Sequence, residues 1–335
     1  MSYRNTKFWK KLVNIKNAHL MKKHYVNALK MNPCNYEDYL CNRYEEIMNR
    51  QSYTFGSKLN LENPTTFTEK CQWIKLYDQD PRKPILSDKY LVREYVKNEI
   101  GSEYLVPIIT IDGKDHFYDA NEINFKKLPN SFVLKCNHGS HMNIIVKDKS
   151  SLTKKTIKKY KNKLNKWLKT DYVFYVSLET QYKSIKPCII VEQLLEPYKE
   201  MLDFKFMFFH GQLQFYWINE FVYDDSLRTS STFLPDGSRA PFNFDLGRNR
   251  PIQNNYSHSR KLSTMQDLAK KLASNFTMVR VDFMSINNKI YFSELTFNSA
   301  AGYDAPRPIE FNKIIGDRLL IDKTKRDKIE SYRKK

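Results

Sequence analysis

Glycine is scarce in this chain, with nine in 335 residues. The two glycine signatures that most often announce a nucleotide, GxxxxGK[ST] and a GxGxxG that opens a helix, are both absent. Cysteine is sparse as well: five, at positions 34, 41, 71, 136 and 188, odd in number and without a CxxC pair. That pattern argues against a disulfide framework or a zinc finger and fits reduced thiols. No apolar run approaches the roughly 18 residues of a membrane-spanning helix, and VPIITI (106–111) is only strand-sized. The charged N-terminus lacks a signal-peptide pattern, so a cytoplasmic protein is expected. Hydrophobic residues at 41% and aromatics at 14% are enough to fill a sizeable globular core.

What the chain has in excess is positive charge, a formal +19. Residues 1–30 and 151–170 each carry eight Lys or Arg and no acid, and so hold sixteen of the nineteen charges. The rest of the chain is nearly balanced, and no nucleic-acid signature accompanies either segment, so no nucleic-acid partner is expected. Around residues 8–26, Phe8, Leu12 and Ile15, with Trp9, Val13, Leu20 and Val26, fall near one helical face. Such a helix suits peripheral contact with an anionic membrane or an ordinary solvated surface equally. In the second segment Ile157, Tyr160, Leu164 and Trp167 recur at helical spacing, which reads as a helix packed on a sheet.

The element pattern runs in blocks. Residues 1–50 read as helical, and Thr66 and Ser87 read as caps of two helices. Strands are expected at 104–110, up to Lys135, at 143–147 and along CIIVEQLL (188–195). A hairpin turning at Gly211, a loop-rich stretch (223–256), a helix near 261–274 and a final hairpin follow. Helices mixed in blocks with antiparallel strands predict an α+β fold of two subdomains.

The final hairpin, FTMVRVDFMSINNKIYFSELTF, carries a sharp expectation. Arg280 and Asp282 share a strand face. With a three-residue turn at Asn287-Asn288-Lys289, Ile286 pairs with Ile290 and Asp282 lies opposite Glu294, with Arg280 opposite Thr296. A two-residue turn moves Glu294 to the wrong face. Opposed carboxylates require a cation between them. Either Mg²⁺ bridging phosphates or an Arg–Asp–Glu ion network satisfies that. Upstream, FVLKCNHGSHMNIIVK sets Lys135 at a strand end before a small polar turn, an arrangement that suits a phosphate or a plain surface hairpin. Cys136, His138 and His141 lack a fourth ligand for zinc.

The blocks PTTFTEKCQWIKLYDQDP, SDKYLVREYV, LPNSFVLKCNHGSHMNIIVKD, WLKTDY, IKPCIIVEQLLE, DFKFMFFHGQ, VRVDF and NNKIYFSELTFNSAAGY, taken in order, resemble the TupA-like branch of the ATP-grasp superfamily from about Tyr53 to Leu320. The resemblance implies an ATP-grasp fold in which two α+β subdomains clamp ATP and Mg²⁺. It divides the chain into a helical extension (1–60), a first subdomain with its hinge (61–195), a second with the metal site (196–322) and a basic tail (323–335). It implies phosphate contacts from Lys135 and Lys89, and a closing loop from Asn137 through His138, Gly139 and Ser140 to Asn143. Adenine or ribose contacts fall to Glu192 or Glu196, and polar contacts to Asp203 and Lys205. Asp282 and Glu294 become Mg²⁺ ligands, and Arg280 and Lys135 steady the transferred phosphoryl group. Where the family has Glu-x-Asn, this chain has Glu294-Leu295-Thr296, so the third metal position falls to the Thr296 hydroxyl or to Asn298, which shares its facing; NSAAGYDAPRP stands where a Gly-Ser-Gly turn is usual.

The implied activity is an ATP-dependent carboxylate–amine ligase in bacterial capsular or teichuronopeptide polysaccharide assembly. It would join a carboxylate-bearing sugar or glycan to an amine. A glycosyltransferase is the alternative, for which Asp78-Gln79-Asp80 is a formal metal-binding pair at a helix end.

Overall fold

The computed structural model describes residues 35–50, 58–174, 178–197, 201–220, 227–244, 251–253, 260–273, 276–287 and 289–327. The expected basic helix at 1–30 lies outside them. Helix α1 (Asn35–Arg50) buries Leu40, Tyr44 and Met48, one residue per turn of a single face. Helix α2 (Phe67–Tyr77) starts on the expected cap. Thr66 accepts from the Glu69 N–H at 3.3 Å, and the Glu69 carboxylate accepts from the Thr66 N–H at 2.9 Å.

Ser87 is not a cap. It ends the short helix α3 (Arg82–Ser87), and helix α4 runs only from Val92 to Glu99. Asp88 stabilises the turn between them, accepting from the Tyr90 and Leu91 N–H groups. This Asx turn offers the backbone an alternative to a continued helix.

The first sheet has the order β1 (His116–Phe117), β4 (Ile189–Gln193), β2 (Phe132–Cys136), β3 (Asn143–Val146), all antiparallel. Phe132, Leu134 and Cys136 face the core, covered by α5 (Lys154–Leu168) through Leu164. The strand expected at 104–110 is not a regular strand. Segment 107–109 touches β4 through one bridge, Ile108 to Glu192, and two backbone bonds, because Pro107 has no N–H to continue a ladder.

The second sheet has the order β7 (Thr229–Phe233), β6 (Gln212–Glu220), β5 (Leu202–Phe209), β8 (Met278–Ile286), β9 (Lys289–Thr296), again antiparallel throughout. Phe204, Phe206, Phe208, Val279 and Val281 pack under α6 (Arg260–Ala273). Strand β7 lies inside the stretch expected as loop. Its sequence, TSSTF, shows no apolar alternation, yet Ser230, Ser231 and Thr232 are buried against β6. Helix α7 (Phe311–Arg318) returns to α2, where a Cβ on Gly316 would stand 2.4 Å from the Thr65 carbonyl oxygen. No described helix is long and apolar enough to cross a membrane.

Candidate functional site

The final hairpin reaches the expected pairing by an unexpected route. Ile286 pairs with Lys289, which leaves two residues between the strands instead of three. Phe283 pairs with Phe292, and a bulge at Ser293 then restores Asp282 opposite Glu294 and Arg280 opposite Thr296. One inserted residue reverses the facing that the short turn would have imposed. A cross-sheet row results: Thr232, Trp217, Lys205, Asp282 and Glu294 are successive partners from β7 to β9.

The cation between the two carboxylates is Arg280. Its Nε and Nη2 donate to the two Asp282 oxygens at 2.7 Å each, and Nη2 also donates to Glu294 Oε1 at 2.9 Å. Lys205 Nζ adds a 2.7 Å bond to Asp282 Oδ2 and lies 3.0 Å from Asp203. Burial works against the charge on Arg280 and on Lys205, but the facing carboxylates outweigh it and hold both above their ordinary values. Burial alone would raise Glu294. Lys89, Arg280 and Lys205 hold it instead at about 2.

Two cavities meet at this cluster. The smaller, about 280 Å³, takes in Lys89, Arg93, Lys135 and Glu192 with an apolar wall that includes Val106 and Phe292. Lys135 lies on the cleft-facing side of β2 and forms an ion pair with Glu192, its diagonal neighbour on β4, which Arg93 also approaches at 3.5 Å. Lys89 Nζ donates to the Gly139 carbonyl at 2.7 Å. Burial lowers the Lys89 ammonium, and the Lys135 charge adds to that, while Glu294 pulls the other way.

The larger cavity, about 540 Å³, extends across the sheet face to Trp217, Asn219 and Arg228, under Tyr172, Glu179 and Tyr182. Both cavities are of the size and mixed lining of small-molecule sites. Ser140, His141, Asp203, Lys205 and Glu294 line both.

Several expected site residues stand elsewhere. Asn137 is a buried brace, with its amide on Asp88, the Lys186 carbonyl and the Cys188 N–H. His138 turns to the Trp167 carbonyl at 3.1 Å, and neither residue lines either of these two cavities. Glu196 is exposed and also lines neither. Phe215 and Tyr216 are buried in the core, whereas Trp217 on the same strand lines the larger cavity. Gly139 is needed for space: a Cβ there would stand 2.5 Å from the Tyr172 ring. Asp78, tied to Lys83 and Lys325, and Asp80, tied to Arg82, line neither cavity. Arg93, Glu179 and Arg228 were not singled out in the sequence. Arg93 had a weak signal, four residues beyond Lys89 in the same block, and the other two had none.

Among the oxygens expected to bind metal, those of Asp282 are fully buried and taken by Arg280 and Lys205. Thr296 Oγ1 donates to Glu294 Oε1 at 3.0 Å. Two oxygens stay open. Glu294, about a third exposed into the cleft, receives no hydrogen bond on its second oxygen from any described residue, and Asn298 Oδ1 is buried with no partner among the described residues while its amide donates to Gln181. Hard oxygen donors that both line the larger cavity fit Mg²⁺, which takes one or two protein oxygens and completes its shell from phosphates and water.

A family model described as TupA-like ATPgrasp matches residues 69–320. The chain belongs to the TupA-like ATP-grasp family. Its α+β architecture of two antiparallel sheets is the ATP-grasp fold. No curated protein matches it in sequence. Similar solved structures include D-alanine–D-alanine ligase from Bacillus anthracis complexed with ATP, 14% identical with a TM-score of 0.36 over 64% of this chain and 55% of that one. The enzyme of the same name from Helicobacter pylori is 15% identical with a TM-score of 0.41, over 76% and 69%. L-amino acid ligase from Bacillus licheniformis is 10% identical with a TM-score of 0.40, over 77% and 55%. This TupA-like chain thus spans about half the length of the first and third.

Proposed function

We propose that this chain is an ATP- and Mg²⁺-dependent carboxylate–amine ligase, that its lobes divide near residue 195, and that it acts in the cytoplasm on a surface-polysaccharide substrate. One observation carries the reading: a cavity with two lysines and an apolar slot joins a second, larger cavity of mixed lining at Lys205 and Glu294. In this reading the slot beside Val106 and Phe292 takes the adenine, Glu192 offers an oxygen near it, and Lys89 and Lys135 hold the phosphates. Glu294 and Asn298 would hold the metal, which supplies positive charge against the triphosphate.

Arg280 and Lys205 stand at the junction, already ordered by Asp282, Asp203 and Glu294. Cations fixed in advance stabilise a transferring phosphoryl group without reorganising during the reaction. A substrate carboxylate oxygen bonds to the γ-phosphorus as the bond to the ADP oxygen breaks. The amine then attacks the acyl carbon, phosphate leaves, and the amine gives up a proton. Ser140 and His141, between the cavities, would exclude water from the acylphosphate. The glycosyltransferase alternative draws no support from Asp78 and Asp80, which lie away from both cavities.

The test is calorimetric titration with Mg²⁺-ATP and with a UDP-sugar, followed by ADP release in the presence of uronic acids and amines. Tight Mg²⁺-ATP binding that weakens about tenfold or more in Lys135→Ala and Glu294→Gln is expected. Undiminished binding in both variants would overturn the assignment.

A further inference from the structure

Arg228 stands immediately before β7, at the edge of the sheet opposite β9. Ser230, two residues on, pairs with Asn219, which pairs with Asp203, and strand alternation puts Arg228 on the same face as Ser230. All four line the larger cavity. The other cations of that wall are already engaged, Lys205 by Asp203 and Asp282 and Arg280 by Asp282 and Glu294. Arg228 is not: its Nε is buried without a hydrogen-bond partner, and no described carboxylate pairs with it. A buried donor left unmatched destabilises the chain, and a bound acceptor recovers that loss.

Position separates this group from the reacting centre. Strands lie about 4.8 Å apart, so β7 is on the order of 10 Å from β5 and Lys205, and about 19 Å from β9 and Glu294. An anion held at the edge is therefore a different group from the carboxylate phosphorylated at the junction. The guanidinium fork matches two coplanar oxygens. Glu179, Asp203, Glu294 and Asp304 face the same cavity, so a singly charged carboxylate is tolerated there better than a phosphate dianion.

Building on the ligase reading, we infer that the acceptor side of the reaction carries a second carboxylate, one that does not react, and that Arg228 binds it. That carboxylate belongs either to the amine, as in an amino acid, or to the acid, as in a sugar diacid.

The full chain, loaded with Mg²⁺ and a non-hydrolysable ATP analogue, is titrated calorimetrically with four probes: glycine, ethanolamine, glucuronate and glucarate. If the amine carries the group, glycine binds and ethanolamine does not. If the acid carries it, glucarate binds at least tenfold more tightly than glucuronate. In either case Arg228→Gln abolishes the preference, Arg228→Lys restores part of it, and affinity for the ATP analogue stays unchanged. Absence of both preferences in the parent, or a preference that survives Arg228→Gln, overturns the inference while leaving the nucleotide reading intact. Failure of the parent to bind the ATP analogue overturns the ligase reading itself.

Discussion

Asp282 and Glu294 face each other across β8 and β9 and share one nitrogen of Arg280, at 2.7 Å and 2.9 Å. The cost of opposing two acids on a sheet is thus met by an internal cation before any metal arrives. It also leaves the pair unequal, since Asp282 is sealed and Glu294 opens to the cleft.

Removing the shared cation strands a fully buried carboxylate. Arg280→Gln is expected to lose roughly 3–5 kcal/mol of stability, the usual consequence of breaking a buried pair from one side. Arg280→Lys recovers only part, because one ammonium cannot bond both Asp282 oxygens and Glu294 together. Urea midpoints of the three proteins measure this, and near-parent stability in Arg280→Gln would show that Lys205 alone neutralises Asp282.

Glu192 and Glu196 should separate cleanly. Glu192 lies in the smaller cavity with Lys135 and Arg93, whereas Glu196 is exposed and outside it. Glu192→Gln is expected to change Mg²⁺-ATP affinity several-fold, and Glu196→Gln to leave it within twofold. Equal effects in titration would contradict the assignment.

Gly139 tests the packing of the loop. Its absent Cβ leaves room for Tyr172, so Gly139→Ala overpacks the site by about 1–3 kcal/mol. Adding Tyr172→Ala should return much of that loss, a non-additivity readable in a double-mutant cycle. Simple addition of the two losses would place the strain elsewhere.

A pH dependence follows from a buried pair, Glu179 in the wall of the larger cavity and Lys75 behind it. Burial pushes the Glu179 carboxyl up to about 7, helped by Glu294 and opposed by Lys75. Burial pushes the Lys75 ammonium down to about 7, opposed by Glu179. Between pH 4.5 and about 7 the folded chain keeps a proton on Glu179 that the unfolded chain has released, so this contribution falls as pH rises. From about 7 to 10.5 the unfolded chain keeps a proton that folded Lys75 lacks, so that contribution rises with pH. Relative to Glu179→Gln, the parent should therefore lose stability from pH 4.5 to 7, measured by urea midpoints. Parallel curves over that window would mean that Glu179 is ionised throughout.

Much of the site was legible from strand parity. Arg280 and Asp282, two apart, had to share a face, and Asp203 with Lys205 likewise. The right partners were reached through the wrong turn. A bulge at Ser293 offset a shorter loop, and nothing in the local sequence distinguishes those two errors cancelling from a regular three-residue turn. Asn137 and His138 read as loop residues because a small polar turn looks alike whether it faces a ligand or braces the core. Strand β7 was missed because hydroxyl residues carry no period, and burial came only from its neighbour β6.

The sequence by itself determined the family, through the resemblance of its ordered blocks, and it determined the blocks of secondary structure and the residue types that meet at the cleft, because periodicity and spacing are local properties of the chain. Only the tertiary structure decided which oxygens of the acidic pair stay open, which lysines converge, and that Arg228 stands at the far edge of the second cavity. Those outcomes depend on pairings between strands distant in sequence, and on how each charge, once buried, is shared among neighbours the chain order does not disclose.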